Sequence, residues 1–353
     1  METIDKAAHP ASAAGAPEWS IRFYREGDIP ALTRLLIAAE EVDRFGTRST
    51  TEEQLTANYN QPMSDPPRQV LVAEGPAVEG IEQGVPYGVA RIVWIDDPNA
   101  DERIYQFGIV IHPAVRGHDL EHALADELLK IARKHEAEPG VEPRKSVKVL
   151  TGFRTEDTLM QSVCEHMGLR AVRYGWTMER SLDEPLPEPR QVEGVTIRAY
   201  RRPEDNAAAL DAYRRSFIDH FEYHDIPAEM WNYRMDMPNS RPDLSWVAEA
   251  DGSPGELAGF CIVEVNQGDN ERRDVSEGWI ELLGTVRGWR GKGLGKSLLL
   301  HGMRSLKEAG LRTAVLGVDS ESLTGANRLY ESVGFAVRST EVMYAAQVSE
   351  TRP

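Results

Sequence analysis

The stretch Thr285–Leu300, TVRGWRGKGLGKSLLL, brings together residue types that can hold a polyanion. An apolar, strand-like run over Trp279–Val286 enters glycines 291, 293 and 295, and a helical pattern over Gly295–Ala309 leaves them. Glycine lets backbone amides come close to an anion, and a helix N-terminus adds unpaired N–H donors and a favourable dipole. Residues 287–296 carry four basic side chains, Arg287, Arg290, Lys292 and Lys296, and no acid. Against a net charge of −17 this is a local anion site. A capped helix with solvated charges is the plainer alternative for so short a motif.

The run from Arg290 to Ser297 nearly matches a nucleotide-binding P-loop, with Arg290 in the first glycine position. Only 56 residues follow Ser297, too few to complete a nucleotide-hydrolase sheet. Arg290-x-x-Gly293-x-Gly295 after a strand instead resembles the pyrophosphate-binding motif of the GNAT superfamily of acyl-CoA N-acyltransferases. Downstream, Gly317–Phe335 (GVDSESLTGANRLYESVGF) is similar to that superfamily's second motif, ending in L-Y-x-x-x-G-F. The two motifs stand in the right order, and the resemblance covers residues 193–347. It implies acetyl-CoA as acyl donor, with no metal. Its phosphates would lie on the backbone of Arg290, Gly291, Lys292, Gly293, Leu294, Gly295 and Lys296. The pantetheine arm would pair with a splayed strand end at Gly284, Thr285 and Val286, with Ser322, Asn327 and Tyr330 close by. Ser322 departs from the asparagine common at its position.

Moving an acetyl group from a thioester to an amine needs a polarised carbonyl, a deprotonated amine and a protonated leaving thiolate. Amides near Thr285 and Val286 are the expected donors to the thioester oxygen. An alkylammonium has a pKa of about 10.4, so a base or water relay must take its proton. Glu277 and Glu281 share one strand face by alternation; Glu281, nearer the acetyl position, is the first candidate and Glu277 the second. A carboxylate that only orients a cationic acceptor is the alternative. Tyr330, with a phenol pKa of about 10, is expected to protonate the thiolate; a packed aromatic is its plainer reading. Acids and aromatics over 219–233, with His220, Tyr223, His224 and Trp231 foremost, are a candidate lining for a cationic amine. The facing surface of the first copy is expected to complete it.

These groups need a sheet with helices around it, and the chain carries two such patterns. Ile21-Arg22 returns at Ile197-Arg198, Arg116-Gly117 at Arg290-Gly291, and Met167-Gly168-Leu169 at Val333-Gly334-Phe335. Three landmarks in one order mark a duplicated domain. The expected fold is α/β with a mixed, mostly antiparallel twisted sheet in each copy. The expected layout is a leader over 1–18, a first domain over 19–181, a Pro/Glu-rich linker over 182–192 and a second domain over 193–347. The tandem layout resembles the mycothiol synthase family, whose members acetylate an amino-sugar-linked cysteine. In the first copy Asp119 and Glu121 replace Gly293 and Gly295, and Cys164 replaces Tyr330. Acidic side chains facing a polyanion imply that this copy has lost cofactor binding. His118-x-x-Glu121-His122 also fits an inverted zinc-peptidase pattern, and His220 and His224 are spaced i,i+4; degeneracy of the loop accounts for the first without metal.

The balance of 40 basic against 57 acidic residues argues against nucleic-acid binding. Two cysteines make no disulfide framework, and no run of about 20 apolar residues or secretory signal occurs, so a cytoplasmic location is expected. The resulting expectation is an acetyl-CoA-dependent N-acetyltransferase, monomer or homodimer, with its site in the second copy. Its acceptor would be a small primary amine such as an amino sugar, antibiotic or amino-acid derivative. A protein N-terminus or lysine is the alternative acceptor, and a non-catalytic acyl-CoA sensor or interaction protein the rival class.

Overall fold

The computed structural model describes residues 17–45, 51–97, 100–220, 223–321 and 325–351. It forms two compact units: one takes the chain up to Arg173 together with the stretch from Glu341, the other runs from Tyr174 to Thr340.

The first unit runs β1 (Ser20–Phe23), α1 (Ile29–Asp43), α2 (Glu52–Tyr59), α3 (Pro66–Gln69), β2 (Val70–Glu74), β3 (Gly88–Asp97), β4 (Glu102–Ile111), α4 (Leu120–Glu136), β5 (Ser146–Arg154) and α5 (Thr158–Met167). Strands β1 to β4 pair antiparallel in sequence order, and β4 pairs β5 in parallel. Leucines at 120, 124 and 128 of α4 recur at helical spacing and bury against one face of this sheet. On the other face Leu32 and Leu35 of α1, with Leu55 and Tyr59 of α2, pack on Val70, Val72 and Val89.

The chain continues through β6 (Arg170–Ser181) into the second unit: β7 (Val195–Ala199), α6 (Asn206–Phe217), α7 (Ala228–Asp236), β8 (Trp246–Ala250), β9 (Leu257–Glu264), α8 (Gln267–Arg273), β10 (Glu277–Thr285), α9 (Leu294–Glu308), β11 (Thr313–Asp319), α10 (Ala326–Glu331) and β12 (Ala336–Gln347). Strand β9 is buried along its whole length, which its apolar run LAGFCIV foretells for a strand covered on both faces. One cover is α9, through Leu298, Met303 and Leu306; the other is α6 and α7, through Leu210 and Trp231.

Two departures from expectation concern where the copies end. Residues 175–181 of β6 pair with β11, and residues 341–347 of β12 pair with β5. The strand that follows each copy's G-[LF] landmark therefore divides between the units, so the boundaries at 181 and 347 move to 173 and 340. The stretch 182–192 is no loose linker either: Ser297 Oγ donates to Arg190 O at 2.8 Å, and Arg304 and Arg312 pair with Glu188 and Asp183. Its prolines and acids disfavour a helix without freeing it from α9. Helix α8 was not expected; Asn266 caps it by accepting from Asp269 N. Among the described residues no helix is long and apolar enough to cross a membrane.

Leu298 is fully buried. Leu298→Ala is expected to lower the stability of the second unit by about 2–5 kcal/mol in denaturant unfolding, while Glu308→Ala on the same helix stays within about 0.5 kcal/mol.

Candidate active site

The site begins where β10 leaves its neighbour. In parallel, β10 meets β11 only over Glu277↔Thr313, Gly278↔Ala314 and Trp279↔Val315, although both strands run further. On the other side its ladder with β9 continues to Thr285↔Gly259, with one register shift between Ile280 and Leu282. A bulge at Glu281 bends β10 here and opens a split between it and β11. Beyond the split Val286 N donates to Ala258 O at 3.0 Å. Antiparallel alternation then turns the N–H groups of Thr285 and Leu283 the other way, into the split. The expectation for Val286 is thus corrected: its amide belongs to the sheet and its side chain to the core. The Thr285 N–H faces the split, and that of Leu283 does so too.

A cavity of about 270 Å³ lies at this end of β10, lined by Ser216, His220, Leu283, Gly284, Thr285, Trp289, the loop residues 290–291 and 293–296, Gly325, Ala326, Leu329 and Tyr330. Gly284 is required by close approach: a Cβ there would lie 2.7 Å from Ser216 Oγ and collide with Phe260. After a 3-10 turn at Arg287–Trp289, Gly291 and Gly293 adopt φ of +75° and +85°, and a Cβ on either would project into open space. Gly293 caps α9, whose first-turn amides lack helical acceptors and point outward. This is a cradle into which phosphate oxygens fit.

The loop's charge differs from expectation. Arg290 turns inward: Nε donates to Thr285 O at 3.1 Å, Nη2 to Ser216 O at 2.8 Å, and Nη1 pairs with Asp219 at 3.1 Å. Arg287 also pairs with Asp219. Hydrogen bonds from Arg287 and then Arg290 hold the Asp219 carboxyl down at about 2. Two of the four expected anion-binding cations are therefore compensated by an acid about 70 residues upstream. Lys292 lies over the Trp289 ring at 4.5 Å, and Lys296 reaches Ser332 Oγ at 3.1 Å. Arg290 serves the site by bracing it; its backbone and the glycines are left to face an anion.

Tyr330 sits in α10, 7% exposed, lining the cavity with its ring against Phe335 and burial pushing its pKa up. Asn327 is a loop staple, Nδ2 donating to Ser320 O at 2.9 Å. Ser322 lies outside the described residues.

The two carboxylates share a face of β10, since Gly278 and Ile280 turn to α9. They do not share a role. Glu277 accepts from Arg338 at 2.7 Å and Arg273 at 3.4 Å, about 26 Å along the strand from Thr285, so it is structural. Glu281 accepts from Arg234 Nη2 of α7 at 2.6 Å. Trp231, expected at the acceptor, is wholly buried core, in contact with Phe260 and Tyr213. Tyr223 lies against Tyr213, and neither it nor His224 lines the cavity, whereas His220 does. Sequence reasoning missed Ser216, Leu283, Trp289 and Leu329, whose types carry no chemical signal.

The first unit repeats the frame with different contents. Arg116 donates to Ile111 O at 3.2 Å and grips Asp43 with both Nη atoms, at 2.6 and 2.7 Å. Gly117 has φ +78°, and Asp119 caps α4 at φ +60°, where Gly293 stands in the second unit. Glu121 is buried, with Oε2 lacking a partner among the described residues. Thr151 donates its hydroxyl to Phe107 O at 2.8 Å, tying the corresponding split, and burial pushes the Cys164 thiol up to about 12. His122 of the zinc-like pattern stacks on His166 and bonds Ser162. No group of three or more His, Cys, Asp or Glu suited to a metal occurs among the described residues.

A split parallel strand pair, a glycine cradle on the following helix and a wall tyrosine define an acyltransferase of the GNAT type, and the model of the acetyltransferase (GNAT) family matches residues 204–335. The chain belongs to the GNAT family of acetyltransferases. A mycothiol acetyltransferase of Thermobispora bispora is 31% identical over 325 residues, covering 90% of this chain and 96% of its own. The crystal structure of a GCN5-related N-acetyltransferase from Sphaerobacter thermophilus is 25% identical with a TM-score of 0.69, covering 95% of this chain and 96% of that one. A tandem GNAT protein from the clavulanic acid biosynthesis pathway shares the fold at 15% identity and a TM-score of 0.67, covering 94% and 99%.

Because the folded pKa of Asp219 lies below its ordinary 3.8, its ion pairs are present above about pH 4 and are lost as pH falls through about 2. Asp219→Asn mimics that loss at neutral pH. It is expected to weaken acetyl-CoA binding several-fold by calorimetry, with Asp211→Asn on α6 just before it as the unaffected control.

Proposed function

We propose that the second unit transfers the acetyl group of acetyl-CoA to a primary amine on a small molecule. One juxtaposition supports this above all: outward amides of Leu283 and Thr285, a glycine cradle and Tyr330 meet around one cavity. The cradle and the first turn of α9 hold the pyrophosphate, while the freed edge of β10 holds the pantetheine arm. The thioester oxygen then lies against the Thr285 and Leu283 amides, which stabilise the negative charge that develops on it during attack. Tyr330, kept protonated by burial, gives its phenolic proton to the departing thiolate sulfur. Glu281, steadied by Arg234, places a carboxylate on the acceptor side of β10 and draws in the substrate's ammonium. The name of the relatives, mycothiol acetyltransferase, supports acetyl transfer.

The first unit is read as silent. Asp119 and Glu121 stand where phosphate must come closest, and their repulsion costs on the order of 1–4 kcal/mol per charge pair. Calorimetric titration of acetyl-CoA into the full chain is expected to give one site, abolished by Gly293→Glu. Two sites would overturn the silence of the first unit, and no binding would overturn the acyl donor.

Turnover is read as amine-dependent release of free CoA thiol across a panel of amino sugars, amino-acid derivatives and lysine peptides. Tyr330→Phe is expected to lower kcat by about 100-fold with acetyl-CoA affinity unchanged. Glu281→Gln is expected to raise the KM for the amine. Binding without turnover on any amine would favour a cofactor sensor.

A further inference from the structure

Resting on that reaction, we propose that His220 is the group that takes the proton from the attacking amine. The residues lining the cavity offer few choices. Among the described residues its titratable groups are Arg290, Lys296, Tyr330 and His220. The first two are fixed cations and cannot accept a proton at neutral pH. Tyr330 is held protonated and is committed to the leaving group. The nearest carboxylate on β10, Glu281, is engaged by Arg234 at 2.6 Å and lies off the cavity wall, about 13 Å along the strand from Thr285. An imidazole is the lining group able to cycle its proton near neutrality.

His220 is also placed to do so. It follows the C-terminus of α6, and its N–H bonds back to Phe217 O at 2.8 Å. Its ring stacks on Phe217 at 4.3 Å, and Phe217 in turn leans on Tyr213 and Phe260, so the ring is set against a fixed aromatic wall. The residue is exposed as a whole, and partial desolvation of its ring together with the charge of Arg290 lowers its pKa below the ordinary 6.5, against the opposing pull of Asp319 and Asp219. Those three charged groups act on it, and Lys296 and Tyr330 line the same cavity. The ring is therefore neutral at pH 7 and ready to accept.

The protons balance as follows. The substrate ammonium loses one proton to a His220 ring nitrogen, and the freed lone pair forms the C–N bond. The C–S bond breaks as Tyr330 protonates the sulfur. The second ammonium proton, acidic once nitrogen is bonded to the carbonyl carbon, restores the Tyr330 phenol. His220 returns its proton to solvent, and the products are an amide and CoA thiol.

The test compares His220→Gln, His220→Ala and Glu281→Gln in the full chain over a pH series, with acetyl-CoA affinity as the check on folding. The unaltered chain should show kcat/KM falling with acid in a limb centred below pH 6.5. His220→Gln should lose that limb and about 100-fold in kcat/KM, and added imidazole should restore activity to His220→Ala. Glu281→Gln should keep the limb and change KM. A limb that persists in His220→Gln but vanishes in Glu281→Gln would overturn the assignment to His220 alone. Absence of turnover by the unaltered chain, with acetyl-CoA bound, overturns both the assignment and the reaction on which it rests.

Discussion

The site depends on one half-buried tie. A strand that separates from its neighbour and turns into a glycine loop has lost ladder bonds on one edge and has few side chains to hold it. Arg290 supplies the missing anchor: one guanidinium joins the end of β10 to the carbonyl of Ser216 and the carboxylate of Asp219 on and just past α6. A planar fork with several fixed donors suits this, and lysine could make at most part of it. With the turn pinned, Gly291 and Gly293 can keep left-handed conformations without side chains to stabilise them, and α9 can present its open first turn.

The first unit separates what holds the frame from what binds. It retains the Arg116–Asp43 tie, the 3-10 turn and the left-handed cap, yet puts carboxylates at positions 119 and 121. Asp119 tolerates φ +60° because a short polar side chain pays little there, of the order of 1 kcal/mol. A loop that had lost its anchor would have been free to relax out of this strained shape. The persistence of the shape without the glycines indicates that the tie is architectural in both copies.

Much of this was legible in local pattern. The glycines, the helix after them, Tyr330 and the repeat of Arg116 at Arg290 follow from residue types at fixed spacing, since amides, dipoles and steric access are local properties. Three things were not. The bulge at Glu281 comes from pairing with β9 and leaves no mark on alternation. The strand ends at 174–181 and 341–347 were misassigned because pairing partners more than 100 residues away are invisible to periodicity. Trp231 looked like a ligand platform beside acids, but α7 turns it into the core against Phe260.

The loop charge adds a further and more instructive case. Counting four cations and no acid over 287–296 suggested an electrostatic trap, yet Asp219 cancels much of it. A trap of mobile arginines would hold any polyanion and release it slowly. In the proposed reading, a cradle of oriented amides, with its arginines already paired, discriminates by shape: it favours a ligand whose phosphates and extended arm meet the α9 turn and the β10 edge together. In a chain of net charge −17 such a cradle must work against a repulsive background. Short-range hydrogen bonds at fixed geometry do this better than diffuse charge, because they act within a few ångströms and are little screened by salt.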